Sequence, residues 1–327
     1  KVVDIYNKAQ KSLALAEDEN EKRIIKALAV IYIVDELERL EPKEELLLCS
    51  LEMSRETFER ALEALLEKKV LIKRRSTQYI DFFLSSNEDL YERINFYKSA
   101  KVKDLKSGDV IGKIKGPSFV FPRKYNDEYE ITRYFYKIFL ETRELERIDS
   151  YQDLWKTKLA DGYIIHLLWQ NEDEIQRSIE KVKKIDDERI LLCVPKNSFD
   201  KLDEIKEYAA IQLLINEARE GNNAGLLYDL ELLLEDLENL IANYIDELFE
   251  YEQCSFYNHK GELLKIEDEK DLNNVVNDIC REVYKSTPIV QNEMINKNNL
   301  TPQMQKALAN AIKYLLEGKI DEIKGNK

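Results

Sequence analysis

Glycine and proline are scarce, nine and six in 327 residues, which is too few for a chain of tight hairpins. Histidine is scarcer still, with only His166 and His259. A His-based triad or a multi-histidine metal site therefore has little to draw on. His-Glu-x-x-His, Gly-x-Ser-x-Gly and paired Cys-x-x-Cys are all absent. The four cysteines, Cys49, Cys193, Cys254 and Cys280, stand far apart, as expected of free buried thiols in a reducing cytosol. No apolar run approaches the roughly 18 residues of a membrane span, and the N-terminus lacks a signal-peptide pattern. These absences predict a cytoplasmic protein with no membrane partner and no metal.

A phosphate loop is also missing. The nearest string, Gly108-Asp-Val-Ile-Gly112-Lys113-Ile114, has one residue too few between its glycines and no Ser or Thr for magnesium, and Gly-x-Gly-x-x-Gly does not occur. Carboxylates are too abundant for any pair to stand out as catalytic; Asp161 and Asp187, beside strand candidates, are the least arbitrary.

What is present is charge and helical periodicity. Charged residues make up 35% of the chain, and 64 acids against 50 Lys and Arg leave a net −14, which argues against a uniform basic coat for nucleic acid. The charge is polarised along the chain: Lys101 to Lys124 carries seven cations against two acids, and Ser54 to Lys124 as a whole is +6, leaving −20 elsewhere. A local anionic partner is compatible with that pattern, and so are solvated lysines on a linker.

The patterning predicts a helix-rich, mixed α and β protein in three parts: an N-terminal helix plus a winged-helix domain (1–98), an α/β domain (99–212) and a helical region (213–327). Lys22 to Leu40 carries apolar residues at helical spacing, Pro42 opens a short second helix through Leu51, and Ser54 caps a third with Phe58, Leu62, Leu65 and Leu66 inward. Two extended segments follow, Val70 to Arg75 and Gln78 to Leu84, and three helices then two strands is the winged-helix order. The third helix has no net charge and no row of Arg, Asn or Gln to read bases, whereas the wing presents Lys73, Arg74 and Arg75 in succession. Two uses stay open: DNA contact through Lys73, Arg74, Arg75, Lys101, Lys103, Lys113 and Lys115, or a winged helix that packs or docks on protein.

In the middle, Ile131 to Leu140, Tyr163 to Trp169 and Arg189 to Val194 read as strands, the last two separated by an amphipathic helix from Asn171 to Ile185, a βαβ unit. Leu226 to Phe249 carries a heptad seam of Leu227, Leu230, Leu234, Leu237, Ile241, Tyr244 and Leu248, which fits core packing or a coiled-coil dimer. From Glu220 to Glu252 there are ten acids and no Lys or Arg, expected on the solvent face and able to dock on the 101–124 region or on a partner. A short hairpin around His259-Lys260-Gly261, a helix from Lys270 to Tyr284 and a final helix capped by Thr301-Pro302 complete the reading.

Two polar strings lie amid aromatics: Tyr125-Asn126 with Thr132-Arg133-Tyr134-Phe135, and Pro288-Ile-Val-Gln-Asn292-Glu293 with Ile295-Asn296. Capping by Asn or Glu and pairing of Arg133 with a buried acid would explain them structurally. Together with the winged-helix pattern and Asp161-Gly162-Tyr163, they resemble the region that follows the ATPase module in large bacterial P-loop ATPases associated with phage defence, the BREX-type family among them. The resemblance implies a nucleotide site upstream, so no cofactor is expected in this segment, and its partner would be the ATPase module of the same longer chain or other proteins. It assigns no role to Tyr125, Asn126, Arg133, Asn292, Glu293 or Asn296 individually. A first residue of Lys1 and a polar Gly325-Asn326-Lys327 end fit a piece of something longer.

Overall fold

The computed structural model describes residues 1–83, 89–102, 105–221, 223–288 and 300–319; Lys103, Asn292, Glu293 and Asn296 lie outside the described residues. The fold is mixed α and β and rich in helix, with one two-stranded and one six-stranded sheet. Among the described residues no helix is long and apolar enough to cross a membrane. Two compact units form, each from two separate stretches: Lys1–Gly116 with Phe199–Leu248, and Pro117–Ser198 with Phe249–Lys327. These divisions fall elsewhere than the consecutive 1–98, 99–212 and 213–327, because residues 199–248 pack on an N-terminal core far away in sequence.

The first unit starts with α1 (Val2–Leu15), α2 (Glu19–Val34), α3 (Glu44–Leu51) and α4 (Arg55–Glu67), followed by a hairpin of β1 (Leu71–Lys73) and β2 (Ile80–Phe82). Local signals set these boundaries. Ser54 accepts the Thr57 amide at 3.2 Å at the start of α4, while α2 stops at Asp35 in the left-handed region, φ 62°. Ile24, Ile25, Leu28, Leu47, Phe58 and Leu65 close the core, with Leu66 only half-buried.

The described residues between Lys101 and Lys124 are largely in helix and strand rather than in a linker. After α5 (Asp89–Ala100), α6 (Ser107–Lys115) buries Val110 and Ile111, and that apolar pair draws the segment onto α11 (Leu202–Glu220) and α12 (Ala224–Leu248). The glycine-lysine string 108–114 is thus helix, and from Val110 on its amides are committed to the helical ladder. The seam of α12 is core: Leu230, Leu237, Ile241 and Leu248 are buried, and Leu227, Leu234 and Tyr244 half-buried. Its acids are not all on the solvent face, since Asp229 and Asp236 are buried; for Asp236 the reason is that the β1–β2 turn needs acceptors for its free N–H groups.

The second unit is built on the sheet β3-β4-β5-β6-β7-β8. β4 (Phe135–Glu141), β5 (Gly162–Leu168) and β6 (Ile190–Pro195) run parallel, with α10 (Glu172–Ile185) as the β5–β6 crossover. β3 (Ser118–Val120) adds antiparallel on one edge, and β7 (Cys254–Tyr257) with β8 (Leu263–Leu264) on the other. The C-terminal hairpin expected within a helical region therefore completes the α/β sheet. All seven residues of β5 are buried, as in a strand covered on both faces. Tyr163, Ile165 and Leu167 meet α8 (Thr142–Leu145), α9 (Tyr151–Leu154) and α10, whereas Ile164 shares a core with α7 (Arg123–Tyr129) and α13 (Glu269–Val283). All four thiols are free, but Cys49 is exposed, contrary to the expectation of burial. Thr301 caps the final helix, Pro302–Leu316, which buries no residue.

Candidate functional site

Each cation of the β1–β2 hairpin has a carboxylate partner within the first unit. Lys73 Nζ lies 2.7 Å from Glu44. Arg74 donates to Asp81 at 2.8 Å and to Glu235 of α12 at 2.8 Å, and its side chain is only 17% exposed. Burial opposes the Arg74 charge, but the flanking carboxylates outweigh it and hold the guanidinium above its usual pKa. Arg75 donates through both terminal nitrogens to Glu207 of α11, at 2.9 and 3.2 Å, a bidentate pair. Asp236 accepts the backbone N–H groups of Arg75 and Ser76 at 2.7 and 2.9 Å and the Ser76 hydroxyl at 2.5 Å. α12 thus closes the hairpin turn much as an N-cap closes a helix. The sequence pointed to the cations but not to Asp236, one of many acids, whose only signal is its position on the inner side of the apolar stripe.

The remaining predicted cations separate into two groups. Lys115 Nζ pairs with Asp246 of α12 at 2.6 Å, as expected of a basic stretch facing that acidic helix. Lys101 and Lys113 have no carboxylate partner among the described residues, and they line one cavity of about 550 Å³ between the end of α5, α6 and α11. Its other lining residues include Gln212 and Asn216, one turn apart on α11, and the apolar Val102, Leu105 and Leu213.

In the second unit, Tyr125, Asn126 and Arg133 come together with Asp161. Arg133 donates to Asp161 at 2.6 Å and to Thr287 at 3.3 Å, and its guanidinium stacks 3.6 Å from the Tyr284 ring centroid. Asn126 donates to the Arg133 carbonyl at 2.9 Å and accepts its N–H at 3.0 Å. That reciprocal pairing holds Ile131–Tyr134 out of β4, which explains why the strand begins at Phe135 rather than Ile131. Tyr125 is fully buried, its N–H donating to Asn277 at 2.8 Å and its hydroxyl to the Tyr284 carbonyl at 3.3 Å. Next to this group Arg189 pairs with Asp187 at 2.7 Å and stacks on Tyr151 at 3.6 Å. Asp161 and Asp187, the two carboxylates singled out from the sequence, are both ion-pair anchors. Arg133, Asp161 and Arg189 precede β4, β5 and β6 at the amino ends of the parallel strands, whereas ligands of open α/β sheets sit at the carboxyl ends. Tyr284, Thr287 and Asn277 had no sequence signal, because they reach the site only when α13 covers the sheet.

Comparison of the chain with protein-family models, curated proteins and solved structures returns no match.

Proposed function

We propose that this chain is a non-catalytic interaction or regulatory segment of a larger bacterial P-loop ATPase, in which α2–α4 and β1–β2 make a winged helix used for packing rather than for reading DNA. The observation that carries this reading is the engagement of the wing by α11 and α12: Arg74, Arg75 and the turn amides are satisfied by Glu235, Glu207 and Asp236. A phosphate backbone would have to displace those carboxylates, and binding that depends on few phosphate contacts is weak. The helical state of Gly108–Ile114 supports the non-catalytic part, since from Val110 on the amides lie in the helical ladder and form no glycine-opened loop of the phosphate-binding kind. Of the residues that carry the resemblance, Tyr125, Asn126, Arg133 and Asp161 act as structural ties at the amino end of the sheet, which supports a transmitting rather than a reacting role.

The test is a salt titration of fluorescent duplex DNA against the purified chain, run beside a magnesium-dependent ATPase assay. No saturable DNA binding at about 50 mM salt and no turnover are expected. Tight binding that weakens steeply with salt, or hydrolysis surviving extensive purification, would overturn the reading.

A further inference from the structure

We propose that the cavity between α5, α6 and α11 binds a small organic anion, a phosphate or carboxylate group carried on an apolar or aromatic body. This goes beyond the interaction-segment reading and stands independently of it. Four acids of α11 are held by cations: Asp203 by Lys98 at 2.6 Å, Glu217 by Arg93 at 3.4 Å, Glu207 by Arg75 at 2.9 Å and Glu204 by Lys201 at 3.4 Å. Glu217 also accepts the Tyr97 hydroxyl. Lys101 and Lys113, twelve residues apart, converge on the same space without a carboxylate partner among the described residues, and no described acid lines it. Two cations in one concavity, with no described acid beside them, favour an anion over water and salt.

The rest of the lining narrows the ligand class. Gln212 donates one N–H to the Tyr208 hydroxyl at 2.9 Å, which leaves its other N–H and its carbonyl for a ligand, beside the Asn216 amide. Leu105 and Leu213 give the same space an apolar wall. A volume of about 550 Å³ lies within the roughly 300–1,000 Å³ of small-molecule sites. Bare inorganic phosphate would leave that wall wet, and an uncharged apolar molecule would leave the cations unused.

Pyridoxal 5′-phosphate is the probe, since its phosphate seeks such a site and its aldehyde forms an imine with a nearby lysine amine, losing water, that borohydride then fixes. Peptide mapping of the full chain should find Lys101 or Lys113 labelled at probe concentrations that spare the exposed Lys11 and Lys260. Phenyl phosphate should protect them, and phenol or inorganic phosphate at the same concentration should not. K101Q/K113Q should weaken binding of the probe at least tenfold, and Leu213→Asp should abolish protection by phenyl phosphate, with the circular dichroism of both variants unchanged. Uniform labelling of exposed lysines overturns the site, and equal protection by inorganic phosphate or an unaltered L213D response overturns the apolar part of the assignment.

Discussion

Gly162 opens β5 directly opposite Phe135 in the sheet register, and a Cβ there would sit 2.2–2.6 Å from three atoms of the Phe135 ring. The ring occupies the space a side chain would need, so Gly162→Ala is expected to destabilise the protein by about 1–3 kcal/mol, with partial recovery in G162A/F135L; urea unfolding midpoints measure both. His166, on the same strand, is packed against the rings of Phe139 and Phe249 at 5.2 and 4.8 Å. Burial, aided by Lys137, pushes its pKa down to about 3 from an ordinary 6.5. The sign of the pH effect follows directly. Between those values the unfolded chain takes up a proton that the native chain refuses, so stability is lost as pH falls through 6.5 toward 3, at up to about 1.4 kcal/mol per pH unit. Urea titrations at pH 7 and 4.5 should therefore show a larger acid loss for the native sequence than for His166→Leu; equal losses would remove His166 as the cause.

The β1–β2 hairpin shows how one element depends on another for its polar groups. β1–β2 is a three-residue pairing, too short to be stable alone, and its turn amides are capped by a carboxylate 160 and 161 residues away in sequence. Removing that carboxylate leaves two donors and a hydroxyl to find water. Asp236→Ala is expected to cost about 2–3 kcal/mol and to speed amide hydrogen exchange at Arg75 and Ser76 well beyond the change in global stability. Exchange that rises only with global unfolding would show that the turn does not rely on α12. The Arg133–Asp161 tie has the same logic at the sheet's amino end: both side chains are about one-fifth exposed, so Arg133→Ala and Asp161→Ala should each cost about 2–3 kcal/mol, near the lower end for breaking a buried pair. The double variant should cost far less than their sum.

Across the molecule, the uneven charge along the chain becomes a device for assembling the first unit. Residues 199–248 hold thirteen acids against three Lys and Arg, and they pair with cations of the basic Ser54–Gly116 stretch at Arg74, Arg75, Arg93, Lys98 and Lys115. Each partly exposed pair contributes at most about 1 kcal/mol, so apolar burial on α11 and α12 must supply most of the stability. What the pairs contribute is register between segments far apart in sequence, together with suppression of a basic surface. Glu207→Gln with Glu235→Gln is accordingly expected to cost only about 1–2 kcal/mol while giving weak, salt-steep binding of duplex DNA above that of the unaltered chain. Fluorescence anisotropy at low and physiological salt reads this outcome, and equal affinity of the two proteins would show that the acids do not mask the hairpin cations.

Signals acting over a few residues were readable from the chain itself: the Ser54 cap and inner face of α4, the β5–α10–β6 alternation, the Gly261 turn at φ 71° and the Thr301-Pro302 start of the last helix. Each depends on backbone geometry or burial of a local stripe, which residue type and spacing encode directly. The sequence also limited the chemistry, since two histidines and no phosphate loop leave little for the common catalytic designs. Pairing across long separations was decided only by folding. With 64 acids in the chain, nothing in spacing distinguishes Asp236 as the cap of a distant turn or Asp161 as the partner of Arg133. Nor does the apolar pattern of Cys254–Tyr257 tell an isolated hairpin from the edge of a six-stranded sheet. Those assignments follow from which buried N–H groups and charges are left needing partners once the apolar faces have met, a quantity that exists only in three dimensions.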